Sequence, residues 1–168
     1  LCAGSRDNTG IGKPYCSRFC CMYSLKHAHQ VIEKIPGCKA YIFYMDIRSF
    51  GKAYEEFYYR IQHEGAKFIR GRVAQIQELP NKNLLVVAED TLLGMSVEIE
   101  VDLVVLAAAI QPTAETEIVR RHFGVSCSAD KWLLEAHPKL DPCGTTTAGV
   151  YLAGVCQGPK DIPDTVAQ

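Results

Sequence analysis

The run Ala40-Tyr41-Ile42-Phe43-Tyr44-Met45 decides the fold class. It is continuously apolar and aromatic, without polar alternation, which marks a strand buried on both faces, the kind found in parallel sheets covered by helices. Upstream, Pro36-Gly37 stops a helix read from about Cys16-Ser17 to Lys34. Downstream, Tyr54, Phe57, Tyr58 and Ile61 recur at i, i+3, i+4 and i+7, giving a second helix one apolar face, with Gly65 as its C′ residue. Residues 67–76 read as one strand carrying Val73 and Ile76. Residues 84–89 and 97–100 read as a hairpin turning at Leu93-Gly94-Met95, and residues 102–107 as another doubly buried strand. This order predicts an α/β fold: a Rossmann-like right-handed βαβ module with a small antiparallel meander.

After Pro112 the pattern changes. Residues 114–123 read as a short helix capped by Gly124, residues 132–135 as a strand, and residues 150–153 as a buried strand. Residues 154–160 form a loop, and Pro163 suits the first turn of a terminal helix. The chain begins without Met and stops inside that helix, so it is expected to be a piece of a larger polypeptide.

With 168 residues, 48% of them hydrophobic, the chain can bury a real core. Its 18 Lys+Arg against 19 Asp+Glu give no general attraction for nucleic acid or an acidic membrane. No apolar run reaches the ~20 residues needed to span a bilayer. Secreted disulfide scaffolds are short and loop-rich, which this patterning is not, so a reducing, cytoplasmic setting is expected.

Four of the eight cysteines fall in the first 21 residues: Cys2 in a loop over residues 1–15 rich in turn formers, and Cys16, Cys20 and Cys21 at the start of the expected helix. Thiolates gathered so densely repel one another unless a metal centre or disulfide neutralises them. On a helix starting near Cys16, Cys16 and Cys20 would share a face, and Cys21 would lie about 100° round. Arg6, Lys13 and Arg18 add positive charge nearby. Four readings stay open: an iron–sulfur cluster, structural zinc, a strained and reducible vicinal disulfide, or plain buried thiols. One C-x₃-C-C run plus a distant cysteine fits paired zinc knuckles poorly. Cys38, Cys127, Cys143 and Cys156 are scattered and read as ordinary thiols.

At the other end, Thr145-Thr146-Thr147, a strand ending Ala153-Gly154, and a loop entering a helix look like the second flavin-contacting segment of two-dinucleotide-domain flavoproteins. That superfamily usually ends the strand Gly-Asp; here Val155 holds the Asp position.

Five stretches together resemble the A subunit of heterodisulfide reductases and related flavoprotein subunits. They are Cys2-Ala3-Gly4-Ser5-Arg6-Asp7, Tyr15-Cys16-Ser17-Arg18-Phe19-Cys20-Cys21-Met22-Tyr23, Phe43-Tyr44-Met45-Asp46-Ile47-Arg48, Glu89-Asp90-Thr91-Leu92-Leu93-Gly94 and Gly158-Pro159-Lys160-Asp161-Ile162-Pro163-Asp164. The resemblance implies a thioredoxin-reductase-like core. In it, residues 1–110 would be a NAD-type module remodelled for a 4Fe–4S cluster, and residues 111–168 the returning, incomplete part of an FAD-binding domain. Its cluster ligands would be Cys2, Cys16, Cys20 and Cys21, and its flavin contacts Gly154, Val155, Lys160, Asp161, Ile162 and Pro163. The first βα turn is a cysteine loop, not G-x-G-x-x-G, so nicotinamide is not expected there. The implied activity is electron transfer between FAD and iron–sulfur clusters. Its partners would be other heterodisulfide reductase subunits and hydrogenase or ferredoxin-type carriers, with the isolated piece expected to be inactive; a severed sheet edge would separately let two copies pair as a homodimer. The rival class is a zinc-stabilised four-cysteine docking module without redox activity.

Overall fold

The computed structural model describes residues 3–168, which divide into two compact units. Ala3 and Cys20–Ala108 form the first; Gly4–Phe19 and Ala109–Gln168 form the second.

In the first unit the expected crossover is present. Strands β1 (Tyr41–Tyr44) and β2 (Lys67–Arg70) pair in parallel, with Tyr41 opposite Lys67 and Tyr44 opposite Arg70. Helix α1 (Cys20–Lys34) precedes β1, and α2 (Tyr54–His63) joins the two strands. Leu25 and Ala28 of α1, Ile42 of β1, Ile61 of α2 and Ala66 form one core, ringed by Met22, Phe57, Tyr58 and Phe68. Leu25 and Ile61 have no exposed surface, a burial that stabilises by about 1.5–3 kcal/mol each. Gly65, at φ 97°, follows α2 as the left-handed C′ residue.

The expected strand over residues 67–76 is two strands. β2 stays with β1, while β3 (Val73–Glu78) turns away to pair antiparallel with β4 (Leu84–Asp90). Gly71 permits the break: a Cβ there would lie 1.7 Å from the Glu89 carbonyl oxygen. β4 continues antiparallel to β5 (Met95–Val101), with Asp90 opposite Met95. The Asp90 carboxylate accepts the Leu92 and Leu93 N–H groups at 2.9 and 3.2 Å and so closes the turn. Phe43, Val86 and Ala88 form a second core, against which Val97, Ile99 and Val101 pack on alternate residues of β5.

Residues 102–107 do not form the expected buried strand. Leu103, Val105 and Leu106 are exposed, and only Val104 and Ala107 face inward. An apolar run is buried on both faces only where a sheet continues past it. Among the described residues, its pairing is one isolated parallel bridge between Ala3 and Ala108, with the Ala3 N–H on the Ala107 carbonyl at 2.9 Å.

The second unit is mostly irregular. Helix α3 (Thr116–Phe123) ends on Gly124 at φ 64° and α4 spans Ile162–Ala167; residues 154–157, expected as loop, form a 3-10 turn. Residues 132–135 and 150–153 make isolated bridges, Cys127–Leu133 and Gly144–Tyr151, instead of the expected strands. Val125, Leu133 and Leu152, with Val150 and Cys156 against them, are a small core. A core this size leaves the surrounding turns to be fixed by hydrogen bonds.

Candidate functional site

The cysteine loop folds back on itself before any helix begins. The Arg6 N–H donates to the Tyr15 carbonyl at 3.0 Å, Asp7 to Lys13 at 2.9 Å and Lys13 to Gly4 at 2.6 Å. A Cβ on Gly12 would lie 2.6 Å from both the Asp7 carboxylate and the Gly4 carbonyl oxygen, so the loop closes only on glycine. Ser17 is fully buried; its Oγ bonds to Ser5 Oγ at 2.6 Å and accepts the Ile110 N–H at 2.9 Å. The Tyr15 hydroxyl donates to the Ile110 carbonyl at 2.7 Å. Burial raises the Tyr15 pKa, partly offset by the neighbouring Trp132 indole, which meets it edge-on at 6.0 Å. Trp132 Nε1 is the one buried side-chain polar atom among the described residues without a well-formed hydrogen bond.

This pinning corrects the helix start. α1 begins at Cys20, not near Cys16, because Arg18 adopts φ 60° and Ser17 directs its side chain to Ser5 and Ile110. The shared helical face expected for Cys16 and Cys20 is therefore absent. Cys16 is half-buried, and its Sγ accepts the Arg18 N–H at 3.3 Å. Cys20 and Cys21 are buried in the first turn of α1, which carries no acidic residue. No disulfide joins any of the three, so the vicinal pair is not bridged. Cys2, the fourth expected ligand, lies outside the described residues. Among those described, no three His, Cys, Asp or Glu side chains converge on a metal-binding point, and Cys16 belongs to the second unit while Cys20 and Cys21 belong to the first. The chemistry of the donor set nonetheless fits a soft metal centre. Three cysteine sulfurs outside any disulfide lie within a short stretch, two shielded from water, and one already accepts a backbone N–H.

The C-terminal segment is built as a polar knot. Gly154 is buried at φ 74°, and a Cβ added there would lie 3.0 Å from Thr165 Cγ2. Lys160 Nζ donates to the Gly154 carbonyl at 3.1 Å, to Gln157 Oε1 at 2.7 Å and to Gln168 Oε1. The Gln157 amide reaches the Pro142 carbonyl at 2.9 Å and Glu135 at 3.1 Å. Asp161 is the N-cap of α4, its carboxylate accepting the Asp164 N–H at 2.9 Å, and Pro163 stands in the first turn as expected. Val155 and Ile162 present apolar surface beside these groups, Ile162 at 80% exposure. A cationic, backbone-lined corner next to exposed aliphatic side chains fits one edge of a planar, electron-accepting ring. Sequence reasoning missed the contact between the two segments of this unit: the Arg18 guanidinium meets the Asp164 carboxylate at 2.5 Å. These residues are 146 positions apart, and no local pattern signals the pair.

No family model matches the sequence. Its curated relatives define the class: they are named as reductase subunits. The chain is 56% identical over 168 residues to the A subunit of the H(2):CoB-CoM heterodisulfide,ferredoxin reductase of Methanothermobacter thermautotrophicus, covering 99% of this chain and 25% of that protein. It is 55% identical to the iron-sulfur A subunit of the CoB--CoM heterodisulfide reductase of Methanocaldococcus jannaschii, covering 99% and 26%. Against the A subunit of the ferredoxin:CoB-CoM heterodisulfide reductase of Methanosarcina acetivorans it is 42% identical, covering 99% and 21%. At 42–56% identity along nearly its whole length, the chain is homologous to a segment of the heterodisulfide reductase A subunit. It spans about a quarter of the length of the curated relatives it matches. Among the described residues, no helix is long and apolar enough to cross a membrane.

Proposed function

We propose that this chain is the cluster-binding and flavin-contacting part of a heterodisulfide reductase A subunit, passing electrons between FAD and a 4Fe–4S cluster. The observation that carries the reading is the set of cysteines at positions 16, 20 and 21, none in a disulfide, in a chain homologous to a protein named as an iron–sulfur subunit. Cys2, Cys16, Cys20 and Cys21 would hold the cluster within a module of residues 1–110. Gly154, Val155, Lys160, Asp161, Ile162 and Pro163 would contact FAD in residues 111–168. When bound, the two groups supply one-electron and two-electron redox chemistry that side chains lack.

The chain's own residues do the positioning. The Arg18 N–H on Cys16 Sγ stabilises negative charge at sulfur, which in such centres favours the reduced state. Burial of Cys20 and Cys21 keeps oxidants and water away. Lys160 already spends its donors on Gly154, Gln157 and Gln168, so it acts on flavin as a fixed positive charge. Val155 offers no carboxylate, and backbone groups around Gly154 would take the place of that contact. The whole subunit would work in the cytoplasm with other heterodisulfide reductase subunits and hydrogenase or ferredoxin-type carriers.

Anaerobic reconstitution with iron and sulfide tests the reading. Brown absorbance with about four irons and four sulfides per chain is expected, and Cys20→Ala or Cys21→Ala should abolish it. A colourless protein retaining one zinc per chain would replace it with the structural four-cysteine docking module.

A further inference from the structure

Arg18 makes two contacts that lead in opposite directions. Its backbone N–H lies 3.3 Å from Cys16 Sγ, and its guanidinium lies 2.5 Å from Asp164 in the first turn of α4. It does so at φ 60°, a conformation that costs a non-glycine residue on the order of 1 kcal/mol. The N–H faces back toward Cys16, and the left-handed angle turns the chain that follows it out of a helical path. Asp164 is itself held from the other side, since its own N–H is bonded to the Asp161 carboxylate. Cys16, Arg18, Asp164 and Asp161 therefore form one chain of contacts, within a single compact unit.

We propose that Arg18 is a positioning residue that couples the hydrogen bonding of Cys16 to the Asp161–Asp164 turn, so that a change at either end is felt at the other. This rests on the reading above in assigning a redox role to each end, but the coupling is a property of the folded chain. An ion pair whose side chains remain 42% and 44% exposed adds little to global stability, so its effect belongs to the local geometry. Asp164 does the coupling without touching sulfur. Loss of its charge releases the guanidinium, frees the strained Arg18 backbone to relax, and weakens the N–H bond to Cys16.

The test compares the chain with Asp164→Asn, Arg18→Gln and the double variant. In metal-free, reduced protein, residue-resolved hydrogen exchange should show the Arg18 amide exchanging about three- to fivefold faster in D164N, matching the ~0.6–1 kcal/mol of an exposed pair. The Val125 amide, in the small core of the same unit, should be unaffected. The double variant should be no faster than either single one. In anaerobically reconstituted protein, D164N should move the midpoint potential of the cluster downward, because an N–H donor to a ligand sulfur has weakened. An Arg18 amide that exchanges equally in D164N and the parent chain overturns the coupling. Failure to assemble any cluster overturns the functional reading instead, and the exchange arm still decides this one.

Discussion

Leu25 and Ser17 are equally buried, and they hold two regions together by different forces. Leu25 closes an apolar core with Ile42 and Ile61, where stability follows area removed from water and tolerates approximate placement. Ser17 closes a loop by bonding both Ser5 Oγ and the Ile110 N–H through its one hydroxyl, so its removal strands two buried groups at once. The first unit therefore owes its shape to periodic burial. The second, with three apolar residues fully in its core, owes its shape to specific polar contacts. The proposed redox groups draw on both: two thiols sit on the packed helix and one on the hydrogen-bonded loop.

That contrast can be broken by substitution, and the largest expected effect lies in the packed unit. Leu25→Ala should cost about 2–5 kcal/mol, seen as a drop in denaturant midpoint at unchanged slope. A loss below ~1 kcal/mol would mean that α1 is not essential to that core. Next, Gly71→Ala forces a Cβ against the Glu89 carbonyl and should cost about 3 kcal/mol, the upper end for overpacking, with lost amide protection in β3 and β4. Retention of that protection would show that the β2–β3 break does not depend on glycine. In the polar unit, Ser17→Ala leaves Ser5 and the Ile110 N–H unpaired inside the protein, at about 1–3 kcal/mol. Here the readout is hydrogen exchange at Ile110 and across residues 4–19, and unchanged exchange would contradict the pinning.

The smallest effect is one of pH. Arg120 and Arg121 hold the Glu117 carboxyl well below its usual 4.5, at about 2. The folded pKa is depressed, so the contribution to α3 is complete above about 4.5 and disappears as pH falls toward 2. Glu117→Gln should flatten the thermal midpoint between about pH 5 and 3 by a small margin, since the pair is exposed. An identical acid profile in the variant would show that α3 is held by other contacts.

Much of the packed unit is legible in the sequence. The doubly apolar run at 40–45, the i, i+4 spacing of Phe57 and Ile61, and Gly65 after α2 give the parallel crossover directly. The split at Gly71 is not, because β2 and β3 have one continuous pattern and differ only in which strand each meets. Residues 102–107 carry the composition of a buried strand without the described neighbours to bury them. The start of α1 escapes sequence reasoning for a different reason. Serine at position 17 is compatible with a helix, and only its partners at 5 and 110 draw it out of one. Of the candidate site, the residue types are readable and the contacts that orient them, from Arg18, Gln157 and Gln168, are not.

The amino-acid order alone determined the α/β class, the crossover and the thiol-rich loop, because apolar periodicity and residue chemistry act over a few neighbouring positions. Only the tertiary structure decided where α1 begins, where β2 gives way to β3, and that Arg18 meets Asp164. Those outcomes depend on partners 12 to 146 residues away, whose approach is set by the closing of the whole chain and leaves no local trace.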